Sequence, residues 1–102
     1  MNQIYQSMKK LIPSRTCLKY RDNDEFLIVS SKNGEIFYLN GSAKLIYQLF
    51  DGHKTIENVL FDLKNKYEAR NEEDIEVLQH DLIEIIRDFQ WQNVIQLMEV
   101  QQ

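Results

Sequence analysis

The sequence predicts a single α+β domain in which a three-stranded antiparallel β-sheet is followed by three α-helices. Three observations predict it. Three short strand-like segments lie between residues 15 and 39, and the first of them alternates with period two. Apolar residues recur every three or four positions from there to about residue 92. The chain has 102 residues, which is enough for one domain with a core of its own.

The three predicted strands are separated by turn-forming residues. Residues 15–20 alternate between apolar and polar side chains, as expected for a half-buried strand. Residues 25–31 are apolar on both faces, which is typical of a central strand. A Lys-Asn-Gly turn at 32–34 leads into the third strand at 35–39. The first half is therefore expected to be an antiparallel meander.

Three helices follow, and local residues mark where they begin and end. The first ends near Phe50, where Asp-Gly follows it. Thr55 caps the second helix, which ends near Tyr67. Asn71 caps the third and longest helix, which ends near Gln92.

A basic amphipathic segment at residues 1–14, the N-terminal arm, precedes the sheet. Its apolar residues have helical spacing over 4–12, and Pro13 closes this pattern. We expect the arm either to fold back onto the domain at 15–97 or to dock a partner. Residues 98–102 are expected to form a C-terminal tail.

Composition and charge disfavour several classes of function. Seven acids and one base lie between Glu72 and Asp88, so the longest helix would repel the phosphates of DNA. No run of 18 apolar residues is present, which excludes a membrane-spanning helix. We therefore expect no nucleic-acid partner and no membrane partner. Cys17 is the only cysteine, which favours a reducing, cytoplasmic setting.

Residues with catalytic or metal-binding chemistry are few and scattered. His53 and His80 are expected to be exposed to solvent, and Cys17 is expected to be a structural thiol. One cysteine and two distant histidines do not have the spacing of a metal site. We therefore expect no enzyme activity, no metal and no cofactor.

One flank of the longest helix is apolar beyond the stripe that faces the core. At about 100° per residue, Ile83 lies outside that stripe, on a flank shared with Gln79 and the edge residue Ile86. Either the N-terminal arm covers this flank, or the flank forms the wall of a groove for a ligand. The sequence leaves both alternatives open.

Particular residues at the joints between these elements resemble the PqqD-like family. The residues that carry the resemblance are GEIFYLN at 34–40, Ala43, Ile46, Tyr47, Leu49, Asp51, Gly52, Thr55, Ile56, Tyr67, Asp81 and Phe89. The resemblance covers roughly residues 15–95. One departure is that Asn93 stands where the family commonly has glycine. Asparagine is the best non-glycine residue for a left-handed position, so the fold is not in doubt.

The resemblance implies a peptide-binding domain, also called a RiPP recognition element, that is winged helix-turn-helix-like. Such domains bind the leader segment of a ribosomally synthesised precursor peptide and present it to a modifying or processing enzyme. The leader is expected to add as a strand beside the third strand and to lie against the last helix. The expected peptide-binding residues are Glu35, Ile36, Phe37, Tyr38, Leu39, Gln79, Ile83 and Ile86.

Two other functions stay open at this point. The chain could be a protein–protein adaptor for a partner enzyme without a peptide client, because an adaptor uses the same exposed edge and groove. A winged-helix DNA-binding protein is the other alternative, and only the basic arm favours it.

Overall fold

The structure is a computed structural model that describes residues 3–100. Residues 1–2 of the predicted arm and 101–102 of the predicted tail lie outside the described residues. The described elements, in chain order, are α1 (Gln3–Met8), β1 (Ile12–Arg15), β2 (Lys19–Asp22), β3 (Leu27–Ser30), β4 (Ile36–Leu39), α2 (Gly41–Leu49), α3 (Ile56–Lys66), α4 (Glu72–Trp91) and β5 (Ile95–Met98). The predicted α+β class is confirmed.

The strands β2, β3 and β4 form the predicted three-stranded antiparallel sheet, with β3 in the centre. The sequence predicts the first strand at 15–20, but β2 is Lys19–Asp22, and Arg15 belongs to β1. Val29 of β3 pairs with Tyr20 of β2 on one side and with Phe37 of β4 on the other. Leu27 and Val29 are fully buried because they point from the sheet toward the helices. The likeness to winged helix-turn-helix domains stays a prediction.

The helices α3 and α4 begin where the capping residues predict. The Thr55 hydroxyl accepts the backbone N–H of Asn58, and the Asn58 side chain accepts the backbone N–H of Thr55 in return. At the start of α4, the Asn71 side chain accepts the backbone N–H of Asp74. These bonds satisfy N–H groups that the first turn of a helix leaves without a partner.

The core lies between the sheet and the helices and is centred on three aromatic rings. Tyr47 of α2, Phe50 directly after α2 and Phe89 of α4 are fully or almost fully buried. The Tyr47 and Phe89 ring centroids are 5.2 Å apart and the rings meet edge to face. Phe50 packs edge to face against Phe89, with 6.1 Å between the centroids. This cluster joins the first and last of the three helices.

A second, two-stranded sheet joins the two ends of the described chain. β1 pairs antiparallel with β5, and Pro13 of β1 lies opposite Leu97 of β5. Asn93 has the predicted left-handed backbone, with φ at 59°, and it turns the chain from α4 into β5. The predicted boundaries between arm, domain and tail therefore pass through β1 and β5.

The N-terminal arm differs from its prediction in one respect. Its helix ends at Met8 rather than at Ile12, and Ile12, whose position before Pro13 disfavours helical backbone, begins β1 instead. The chain then runs along the start of α3, where the Ile56 N–H donates to the Leu11 carbonyl at 2.9 Å. Lys10 Nζ and Glu57 Oε1 are 3.0 Å apart at the same place. The arm thus folds back onto the domain, which was one of the two alternatives.

Candidate functional site

The outer edge of β4 is unpaired, because no strand within residues 3–100 bonds to it. The Ser31 N–H donates to the Glu35 carbonyl at 2.8 Å, so these two residues form a closely bonded pair of the β3–β4 ladder. Such pairs alternate along an antiparallel ladder. The alternation turns the N–H and C=O groups of Ile36 and Tyr38 away from β3 and toward the open edge.

The predicted binding strand presents its side chains on two faces. Ile36 and Tyr38 are 59% and 64% exposed on the outer face of the sheet. Phe37 is half-buried and Leu39 is buried on the face toward the helices, and Glu35 is exposed where the strand begins. A peptide at this edge would meet backbone donors and acceptors along the strand, with Phe37 beneath it.

The three α4 residues predicted as a groove wall do not line an open groove. Ile83 is only 3% exposed, and Ile86 is fully buried in the core. Gln79 lies in a shallow depression with Tyr5 of α1 and with residues of α3. The alternative in which the N-terminal arm covers this flank is therefore the one that the structure adopts.

An open groove of about 600 Å³ lies instead between the start of β4 and the end of α4. Glu35 and Phe37 line one side of the groove, and residues 90–93 line the other. Trp91 is 88% exposed, although tryptophan is usually well buried. The Oε1 atom of Gln92 is buried and has no hydrogen-bond partner within the part of the chain that is described. The groove thus offers the exposed aromatic surface of Trp91.

A cavity of about 200 Å³ lies farther along α4, where that helix meets α2 and α3. Its apolar lining comes from all three helices: Ile46, Leu63, Leu78, Leu82 and Ile85. The carboxylates of Asp81, Glu84 and Asp88 stand at its rim and are exposed to solvent. The cavity is therefore apolar inside and acidic at its mouth.

The groove and the cavity share one face of α4. The lining residues of this face recur every three or four positions: Leu78, Asp81, Ile85, Asp88 and Gln92. β4 begins beside the end of α4, and Ser42 at the start of α2 lies beside its middle. The two depressions therefore lie one after the other along α4, and we call them together the β4–α4 channel.

Sequence reasoning missed the α4 side of this channel. Helical spacing places Ile85 in the stripe that faces the core, and Ile85 does pack against the core, but it is half-buried and also lines the cavity. Sequence reasoning gives no role to Trp91. The available signal was the spacing of Asp81, Ile85 and Asp88. It places one carboxylate before and one after an apolar residue along the helix.

The isolated polar residues lie away from the channel. His53 and His80 are exposed, as predicted, and Cys17 is half-buried. Within residues 3–100, no three histidine, cysteine, aspartate or glutamate side chains come together as a metal site would require. None of the described helices is both long enough and apolar enough to cross a bilayer.

Comparison with known proteins adds one finding. The model of a protein family described as coenzyme PQQ synthesis protein D (PqqD) matches residues 25–95. The matched segment begins just before β3 and ends at the first residue of β5, so it contains β4, α4 and the whole β4–α4 channel. No curated protein and no solved structure matches the chain.

Proposed function

Since this chain belongs to the PqqD family, we propose that it binds the leader segment of a ribosomally synthesised precursor peptide and presents it to a modifying or processing enzyme. Members of this family are accessory proteins of a biosynthetic pathway and not its catalysts. The chain would act in the same way, by holding one partner for another.

The open edge of β4 beside the β4–α4 channel carries this proposal. A peptide can extend the sheet by bonding to the N–H and C=O groups of Ile36 and Tyr38. Alternate side chains of such a peptide would point into the channel, over Phe37. Glu35 and Leu39 would flank the contact at the two ends of the strand.

Energetics show why both the edge and the channel are needed. Four backbone hydrogen bonds at about 0.5–1.5 kcal/mol each contribute roughly 2–6 kcal/mol. Micromolar binding requires about 8 kcal/mol after an association cost of at least ~4 kcal/mol. The difference has to come from apolar side chains that leave water, and Trp91 and Ile85 are the exposed and half-buried apolar surfaces of α4 that could receive them.

The placement of the α4 residues changes which of them we propose as contacts. Ile83 and Ile86 are buried, and Gln79 lines a depression between α1 and α3, so none of the three lines the β4–α4 channel. The proposed wall is instead formed by the α4 residues that line the channel, including Ile85 and Trp91.

The test is a titration of labelled leader peptides, taken from short reading frames beside the gene, with Tyr38→Pro and Tyr38→Ala as a matched pair. Both variants remove the Tyr38 side chain, but only proline removes the N–H at the open edge. We expect Tyr38→Pro to bind the leader about 2- to 12-fold more weakly than Tyr38→Ala does, because it loses about one hydrogen bond. The readout is fluorescence polarisation.

Circular dichroism of both variants shows whether the sheet is intact. Equal affinities of Tyr38→Pro and Tyr38→Ala, with native spectra, would contradict strand addition at this edge. A folded wild-type chain that binds none of the leaders would favour the adaptor without a peptide client.

A further inference from the structure

The cavity in the β4–α4 channel has the size and lining to take one large apolar side chain. Its volume is about 200 Å³, and Leu78 and Ile85 of α4 form part of its apolar lining. An apolar cavity of roughly 150 Å³ is already enough to bind a benzene ring. A leucine or phenylalanine of a bound peptide is therefore a fitting occupant.

The rim of the same cavity carries negative charge that the protein itself does not neutralise. Neither the Asp81 carboxylate nor the Asp88 carboxylate has a hydrogen bond or an ion pair within residues 3–100. Glu84 lies 3.2 Å from His80 Nε2, at an exposed position. None of the residues that line the cavity is basic. A ligand that covers this rim would bind more tightly if it carried positive charges that complement the carboxylates.

The distance along α4 relates these features to a peptide spacing. Asp81 and Asp88 are separated by two helical turns, about 10.5 Å along the axis, with Ile85 between them. In an extended peptide, residues i and i+4 lie on one face about 13 Å apart, and residue i+2 lies between them on the same face. The side chains of Lys and Arg are long enough to span the difference between the peptide spacing and the spacing of the two aspartates.

From these features we infer that the chain selects leader segments in which Lys or Arg stands two residues before and two residues after a large apolar residue. The apolar side chain enters the cavity beside Ile85, and the two cations lie over Asp81 and Asp88. This inference rests on the proposed function and adds the class of peptide that is bound.

Three fluorescein-labelled peptides of 13 residues test the inference. They share one sequence with a central leucine and differ only in the residues two positions before and after it, which are both Lys, both Gln or both Glu. We expect the Lys peptide to bind about 2- to 30-fold more tightly than the Gln peptide, from two exposed ion pairs. The Glu peptide should bind most weakly, and high salt should reduce the differences.

Variants of the rim decide whether the cavity is responsible. The preference for Lys should disappear in the double variant Asp81→Asn, Asp88→Asn and reverse in Asp81→Lys, Asp88→Lys. The matched control is Glu72→Gln, Glu73→Gln, which removes the same charge from the first turn of α4 and should keep the preference. This control separates contact at the rim from general attraction to an acidic protein.

Three results would overturn the inference: a Lys peptide that does not bind, a Glu peptide that binds as tightly, or an unchanged preference in Asp81→Asn, Asp88→Asn. The proposed function has its own test in the Tyr38 pair. A leader that depends on the N–H of Tyr38 but not on the two aspartates would keep strand addition and remove charge selection.

Discussion

The hydroxyl of Tyr47 joins α2 to the segment that follows α4. It donates to the Val94 carbonyl at 2.9 Å, in a fully buried part of the core. Burial raises the pKa of Tyr47, and a hydrogen bond with Cys17 raises it further. The hydroxyl therefore stays protonated, and stays a donor, through the physiological pH range.

Removing this hydroxyl should destabilise the protein without changing its shape. Tyr47→Phe removes one of two donors to the buried Val94 carbonyl, which keeps the Thr16 N–H at 3.0 Å, so we expect the free energy of unfolding to fall by about 0.5–1.5 kcal/mol. Urea denaturation measures the change. Tyr20→Phe is the control, because Tyr20 stacks on Tyr47 but is itself exposed. Equal effects of the two substitutions would show that the Tyr47 hydroxyl bond adds nothing.

Residues whose role depends on near neighbours could be predicted from the sequence. Thr55 and Asn71 each bond to a backbone N–H three positions later, so the cap is encoded within one turn. Ile83 could not be placed in this way. Helical spacing shows that Ile83 lies outside the core stripe, but not that a segment from the other end of the chain covers it.

Among the elements, α1 decides which side of α4 is open. Tyr5 of α1 is 4% exposed and belongs to the same core as Ile83. With this flank covered, the opposite flank is left to form the β4–α4 channel. The edge strand of the site could be predicted from the turn at 32–34, whereas the wall could not, because it depends on where α1 packs.

Shortening Tyr5 tests whether α1 packs in this position. We expect Tyr5→Ala to lower the free energy of unfolding by about 3–5 kcal/mol, because a large buried side chain leaves a cavity. Ile4→Ala is the matched control: Ile4 is 43% exposed on the same helix, and its loss should stay within about 0.5 kcal/mol. Urea denaturation of both variants provides the comparison, and small effects from both would contradict the packing of α1.

At the scale of the whole molecule, the small β1–β5 sheet closes the fold. The sequence does not predict β5, because it has four residues and its partner lies at the opposite end of the chain. From the sequence, Pro13 is expected only to end the helical pattern of the arm, yet it is buried within β1. Pairings between distant short strands leave no periodic pattern in either segment.

The family match at 25–95 covers the channel but not everything that supports it. A fragment of these residues lacks α1, β1, β2 and most of β5. It would keep only the β3–β4 hairpin of the sheet, and a two-stranded hairpin is marginal without further partners. Loss of α1 and β1 would also expose Ile83 and leave Ile95, the one β5 residue in the fragment, without its partner Arg15.

We therefore expect the fragment 25–95 to lack a cooperative thermal transition, whereas the fragment 3–100 unfolds cooperatively like the full chain. Circular dichroism at increasing temperature distinguishes the two outcomes. A cooperative transition in 25–95 would show that the peripheral strands are dispensable and that α2, α3 and α4 with one hairpin are enough. With 25–95 unfolded and 3–100 folded, the open edge of β4 depends on elements that contribute no residue to the channel. The binding experiments should then be made with the full chain.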